Sequence, residues 1–244
     1  MFHRQRTTAG FLACQLFSVG IAGVVLEAAS RFQTVTDALG FYGVYHREPL
    51  NQLIHFVGVP GIIWTMIIFM AHLPLPYLGS YAIKMPMTAS HPLNWGTFAT
   101  LFYFFFYLKI DSFGGLLYTP VLYLMYATAV NMVHKDQAEA KRVADSKEVS
   151  WTGTGKLLRF AGFVHFLSWY VQIHPGHAVI EGAKPAILDS LGGALTSAPL
   201  FAFYEGLWFL GINRELQEKT LQLVAEHTVR LCANGASMRV CETL

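Results

Sequence analysis

Two histidines and an asparagine stand at the mouth of a long apolar run: His46, Asn51 and His55, within Tyr45-His46-Arg47-Glu48-Pro49-Leu50-Asn51-Gln52-Leu53-Ile54-His55. Burying a core requires none of them. Far downstream a second stretch answers, carrying His165, Trp169, Gln172, His174 and His177, with Glu181 just beyond. Neutral imidazole is a common protein ligand for iron, zinc and copper. Three or four imidazoles with positions left open suit a redox metal that takes substrate and dioxygen together. The two stretches are therefore expected to meet at one membrane face and hold a metal.

Helix geometry constrains how they meet. His46 and His55 point in opposite directions on one unbroken helix, whereas Asn51 and His55, four apart, share a face. Pro49 suits the first turn of a helix, which leaves His46 free to fold over its end. Downstream, His165, Trp169 and Gln172 share a face, Pro175 is expected to end the helix, and His177 to turn back. Any single histidine in an apolar segment more often bonds a neighbouring helix. The convergence of five on one face is what points to a metal. Glu205 lies inside another apolar segment, where an ionisable residue is costly and by default functional. One role for it is to accept the second ring N–H of a ligand histidine. Glu181 is a second carboxylate near the 174–177 turn.

The elements that must position these residues are apolar helices. The chain has 244 residues, 54% hydrophobic and 13% charged, against about a quarter charged in a soluble domain. No Asp, Glu, Lys or Arg occurs over Pro49–Ile83, Met85–Leu108, Ser112–His134 or Phe160–Ile180. About 20 apolar residues span a bilayer, so the fold class is an all-α polytopic membrane bundle of five to six transmembrane helices. Spans are expected at 49–71, 93–110, 116–133, 157–173 and 195–212. Residues 10–26 resemble a signal peptide or a weak transmembrane helix and read as an uncleaved anchor, an interfacial helix or an extra transmembrane helix, 31–48 as a polar-to-amphipathic connector, and the charged 134–156 segment as a solvated loop or surface helix. Residues 1–37 form an extension, 38–213 the membrane domain and 214–244 a soluble tail, helical or in part disordered. Counting Lys and Arg puts 134–156 and the tail in the cytosol, with His46 and the 174–177 turn together on the other face. Trp64, Trp95 and Trp208 read as interface anchors.

Some classes are excluded. A net charge of +2 with scattered basic residues offers no stripe for nucleic acid. The three cysteines show no metal-ligand spacing and no disulfide framework. A di-iron membrane lipid hydroxylase or desaturase needs repeated histidine boxes, and here only His174 and His177 make an HxxH. A non-enzymatic membrane scaffold or transporter is the other rival, but no internal repeat supports a transporter.

The pattern Tyr45-His46, Asn51, His55, Val59-Pro60, then His165, Ser168-Trp169, Gln172, Gly176-His177, Glu181, Lys184-Pro185-Ala186, Leu188-Asp189-Ser190-Leu191, then Ala198-Pro199-Leu200 and Glu205, resembles the Mpo1-like family over roughly residues 38–213. The resemblance implies an iron(II)-dependent dioxygenase of the endoplasmic reticulum. Its substrate would be a 2-hydroxy fatty acid, shortened by one carbon in α-oxidation, as in breakdown of a sphingoid long-chain base. It implies His46, His55, His165 and His177 as ligands, with Asn51, Gln172 and Glu181 in support. His174 departs from the family pattern, as an extra ligand, a substituted one or an incidental residue. A 2-hydroxy acid chelates a metal through carboxylate and hydroxyl, and dioxygen beside it leads to C1–C2 cleavage. Imidazoles must be neutral to ligate, so activity is expected to fall as pH drops through about 6.5.

Overall fold

The structure is a computed structural model that describes residues 9–144, 150–188, 190–235 and 241. Arg4 and Arg6, the central part of the charged 134–156 segment and Asp189 lie outside the described residues. Those described form eight α-helices: α1 (Ala9–Arg31), α2 (Val35–Gly43), α3 (Pro49–Ala71), α4 (Trp95–Ile110), α5 (Ser112–Ala144), α6 (Lys156–Val171), α7 (Leu191–Phe209) and α8 (Arg214–Ala233). A π-helix (Gln172–Glu181), a 3-10 turn (Ala186–Leu188) and one two-stranded ribbon, β1 (Ala82–Ile83) with β2 (His91–Pro92), complete them.

The protein is thus all-helical. Three helices, α1, α3 and α5, are long and apolar enough to cross a membrane. α4 and α6 have 16 residues each, about 24 Å at 1.5 Å per residue, short of the roughly 30 Å hydrocarbon layer. Large apolar side chains stay exposed on several helices, Leu53, Phe56 and Val57 on α3 and Phe163 and Phe166 on α6 among them. Surfaces of that kind belong against lipid or a partner rather than water.

The chain divides into two compact units. One comprises the chain up to Ala22 with Gly61–Phe105 and Thr119–Phe166; the other comprises Gly23–Pro60, Phe106–Tyr118 and the chain from Leu167 onward. Within the first, Asn94 caps α4 by accepting from the Thr97 N–H at 2.9 Å. Asp136 is buried and accepts the Thr154 N–H at 3.0 Å, so not every charge of the 134–156 segment is a solvated one.

The second unit holds the site. Its α2 falls where a connector is expected. Thr34 and Asp37 form a reciprocal capping box at its start, and this local signal is enough to begin a helix in a short segment. α2 packs on α7 and α8. Its glycines permit that approach: a Cβ on Gly43 would sit 2.7 Å from Val224 Cγ2 and 3.2 Å from Phe201 Cε2. α8 is therefore packed in place from Arg214 to Ala233. At its end Cys232 and Cys241 form a disulfide, which corrects the sequence expectation; Cys14 is free. Gly43→Leu is expected to push α8 off α2 at a cost of about 1–3 kcal/mol, read as a lowered midpoint in thermal unfolding of the detergent-solubilised protein. An unchanged midpoint would show that the α2–α8 contact carries little stability.

Candidate metal centre

Pro175 does not stop the helix. After Val171 the backbone widens into a π-helix that runs to Glu181, where Gly182 takes a left-handed conformation (φ 62°) and donates its N–H to the His177 carbonyl. A proline has no N–H to give an α-helical carbonyl, and a wider turn is one way to carry it without a break. The widening changes which residues share a face. At about 100° per residue, an α-helix would set Gln172 and His177 roughly 140° apart. Here Gln172, Gly176, His177 and Glu181 are all buried. π-Segments are uncommon and concentrate at functional sites.

Glu181 joins this π-helix to the start of α3. Its carboxylate accepts from the backbone N–H of Arg47 at 2.9 Å and of Glu48 at 3.1 Å, and from Asn51 Nδ2 at 2.9 Å. An anion there satisfies donors that the helix start leaves free and complements its dipole. Gly176 is part of the same fit, because a Cβ on it would lie 2.5 Å from Asn51 Oδ1. Gly58 serves likewise, since a Cβ there would lie 2.5 Å from Gln172 Nε2. Gln172 gives that amide to the Ser168 carbonyl at 2.8 Å.

The joint brings His46, His55 and His177 together. All three are buried, and each offers a ring nitrogen within 4.8 Å of the others. His46 Nδ1 lies 3.0 Å from the Tyr42 carbonyl and His55 Nδ1 lies 2.9 Å from the Asn51 carbonyl. A carbonyl can only accept, so both Nδ1 atoms carry the hydrogen and both Nε2 atoms keep a lone pair. The Tyr42 ring stacks on His46 at 4.0 Å, with the planes 13° apart. His46 Nε2 and His177 Nδ1 are buried without a hydrogen-bond partner. Leaving such atoms unpaired costs about 1–3 kcal/mol each. A set of neutral imidazoles so oriented, with buried nitrogens unsatisfied, fits a first-row transition metal.

The other candidates have different places. His165 belongs to the first unit, where its Nδ1 bonds the Thr65 hydroxyl at 2.8 Å and its ring packs on Phe69. It is not among the three grouped imidazoles. His174 is exposed and stacks on Tyr170, with centroids 5.6 Å apart; the wide helical turn gives its buried face to His177 instead. Asn51 and Glu181 act through hydrogen bonds that hold α3. Glu205 accepts no ring N–H, because the backbone has taken those of His46 and His55. Both its oxygens are buried without a partner, beside a cavity that His46 also lines. Two further residues take part: Tyr42, four residues before His46 and absent from the motif pattern, whose carbonyl orients that ring, and Gly176, present in the pattern, whose missing side chain admits Asn51.

Burial, with His55 and His177 nearby, puts the His46 imidazole well below the ordinary histidine value. It therefore stays neutral well below the pH of about 6.5 at which a free imidazole charges. The unfolded chain binds this proton first, so folding stability is full above about pH 6.5 and is lost progressively as pH falls below it. Urea unfolding of the metal-free protein between pH 7.5 and 4 is expected to show that decline, shallower in His46→Gln. A second expectation concerns the joint. Glu181→Ala strands two backbone donors and the Asn51 amide, and should lower stability by about 1–3 kcal/mol in the same unfolding measurement. A loss no larger than that of a surface Glu→Ala control would remove the joint from the argument.

Apolar helices of membrane-spanning length, and a buried group of three histidines oriented by main-chain carbonyls, define the class: a helical membrane-type protein with a histidine centre suited to a metal. The chain belongs to the 2-hydroxy-palmitic acid dioxygenase Mpo1-like family, which it matches over residues 32–207. It is 26% identical over 179 residues to the 2-hydroxy-palmitic acid dioxygenase MPO1 of Saccharomyces cerevisiae, an alignment that covers 73% of this chain and 83% of that protein. No solved structure matches it.

Proposed function

We propose that the protein is an iron(II)-dependent dioxygenase that shortens 2-hydroxy long-chain fatty acids by one carbon in α-oxidation, within the endoplasmic reticulum membrane. The observation that carries this reading is the group of His46, His55 and His177, buried and within 4.8 Å of one another. These three residues would hold the metal. When bound, iron(II) supplies the redox centre at which dioxygen is reduced as the C1–C2 bond of the substrate is cleaved. The carbonyls of Tyr42 and Asn51 fix which ring nitrogen of His46 and His55 faces inward. Glu181, through Asn51, holds the turn of α3 from which His55 projects. Burial keeps competing water from the imidazoles. The acyl tail lies along apolar helix surfaces open to the bilayer. Membership in the family and the activity for which the yeast relative is named support the substrate class.

The same reading takes α4, α6 and α7 as further spans beside α1, α3 and α5. α6 and the π-helix form one continuous helical run from Lys156 to Glu181, which has the length that α6 alone lacks.

The test is anaerobic purification, metal quantitation and then dioxygen uptake with a 2-hydroxy long-chain acid. Near-stoichiometric iron and a product one carbon shorter are expected. His46→Ala, His55→Ala and His177→Ala should each lose both the iron and the turnover. Full activity in all three variants would refute the proposal.

A further inference from the structure

Five buried hydroxyls on these helices share one habit. Thr65, Thr100, Thr196, Ser197 and Thr228 each give their hydroxyl to the carbonyl four residues earlier. Thr220 of α8 does not. It is 1% exposed, yet its Oγ1 has no partner. It lines a cavity of about 580 Å³ whose wall also carries His46, Glu205 and Trp208. Among the described residues, eight buried side-chain polar atoms lack a hydrogen bond. Five of them belong to residues that line this cavity: His46 Nε2, both Glu205 oxygens, Trp208 Nε1 and Thr220 Oγ1. Arg47 and Arg214 line the same cavity, and both are exposed.

We propose that this cavity is the head-group site for a carboxylate that bears a hydroxyl on the adjacent carbon, and that α8 completes it. The inference rests on the proposed function and names the residues that would read the substrate. An indole N–H can only donate, a hydroxyl both donates and accepts, and a carboxyl group accepts and, where it holds its proton, also donates. Trp208 therefore requires an oxygen, and Glu205 and Thr220 take either a donor or an acceptor. A 2-hydroxy acid offers all of these within two carbons: its hydroxyl donates to Glu205, and its oxygens accept from Trp208 and Thr220. The guanidinium groups of Arg47 and Arg214 complement its negative charge. An unhydroxylated acid leaves part of this wall unpaired, which is how such sites discriminate. The cavity volume lies in the range of small-molecule sites, and His46 sets the head beside the histidine centre. The family match ends at residue 207, whereas α8 starts at Arg214. The wall that Arg214 and Thr220 contribute thus comes from beyond the matched segment.

The test is equilibrium binding to the iron-loaded, full-length protein in detergent under strictly anaerobic conditions, which separates affinity from turnover. The probes are 2-hydroxypalmitate, palmitate and methyl 2-hydroxypalmitate. The unaltered protein is expected to bind 2-hydroxypalmitate about tenfold or more tightly than either comparison ligand. Thr220→Val, nearly isosteric, should cut the preference over palmitate. Arg214→Gln, at an exposed position, should cut the preference over the ester. Both preferences unchanged within roughly twofold in both variants would overturn the head-group site. Iron content and dioxygen uptake of the unaltered protein, measured in parallel, report on the proposed function separately. Turnover with unselective variants supports the site, and turnover with fully selective variants sinks the site while leaving the reaction standing.

Discussion

The Glu181 carboxylate is the constraint on which the site depends. It reaches across 130 residues of sequence to Asn51 and at the same time closes the start of α3 through the N–H groups of Arg47 and Glu48. Those donors have no intrahelical partner at a helix start. One group thereby fixes the end of the π-helix, the first turn of α3 and the Asn51 side chain. His177 sits four residues before it, and His46 immediately before Arg47, the first N–H that donates to it. The grouping of the imidazoles follows from this joint and not from any attraction between them, since three buried neutral rings gain little by being close.

Burial and orientation then divide the work. Burial removes the histidines from water, and with it the option of satisfying their nitrogens there. The main chain takes one nitrogen from each of His46 and His55, which leaves the other with a lone pair and no choice of tautomer. This is the arrangement that ligand histidines generally show, with a carbonyl in the place often held by a carboxylate. It also explains why Glu205 is left over, on a neighbouring wall, with its oxygens unpaired.

Much of this was legible in the residues. The limits of α3 follow from Pro49 and the uncharged run behind it, and they agree with the observed Pro49–Ala71. His46, His55 and His177 stood out because polar groups at the edges of apolar runs are costly. Three features were harder to read. The π-helix hides because proline usually ends a helix; only the burial pattern of Gln172, His177 and Glu181 betrays the wider turn. α2 is short and lightly apolar, and its signal is the Thr34/Asp37 box alone. His165 has the right type and a plausible face, but a helical spacing is silent about which neighbours a ring will meet, and Thr65 and Phe69 are among those it meets. The Cys232–Cys241 bond joins residues nine apart, a separation that by itself marks neither a metal site nor a disulfide framework.

Because the acceptors that orient His46 and His55 are peptide carbonyls, no substitution of a side chain deletes them. Drift in the surrounding residues can reshape the walls of the neighbouring cavity while the protonation pattern of the imidazoles persists. A lineage organised in this manner can diversify what it recognises without reinventing how it reacts.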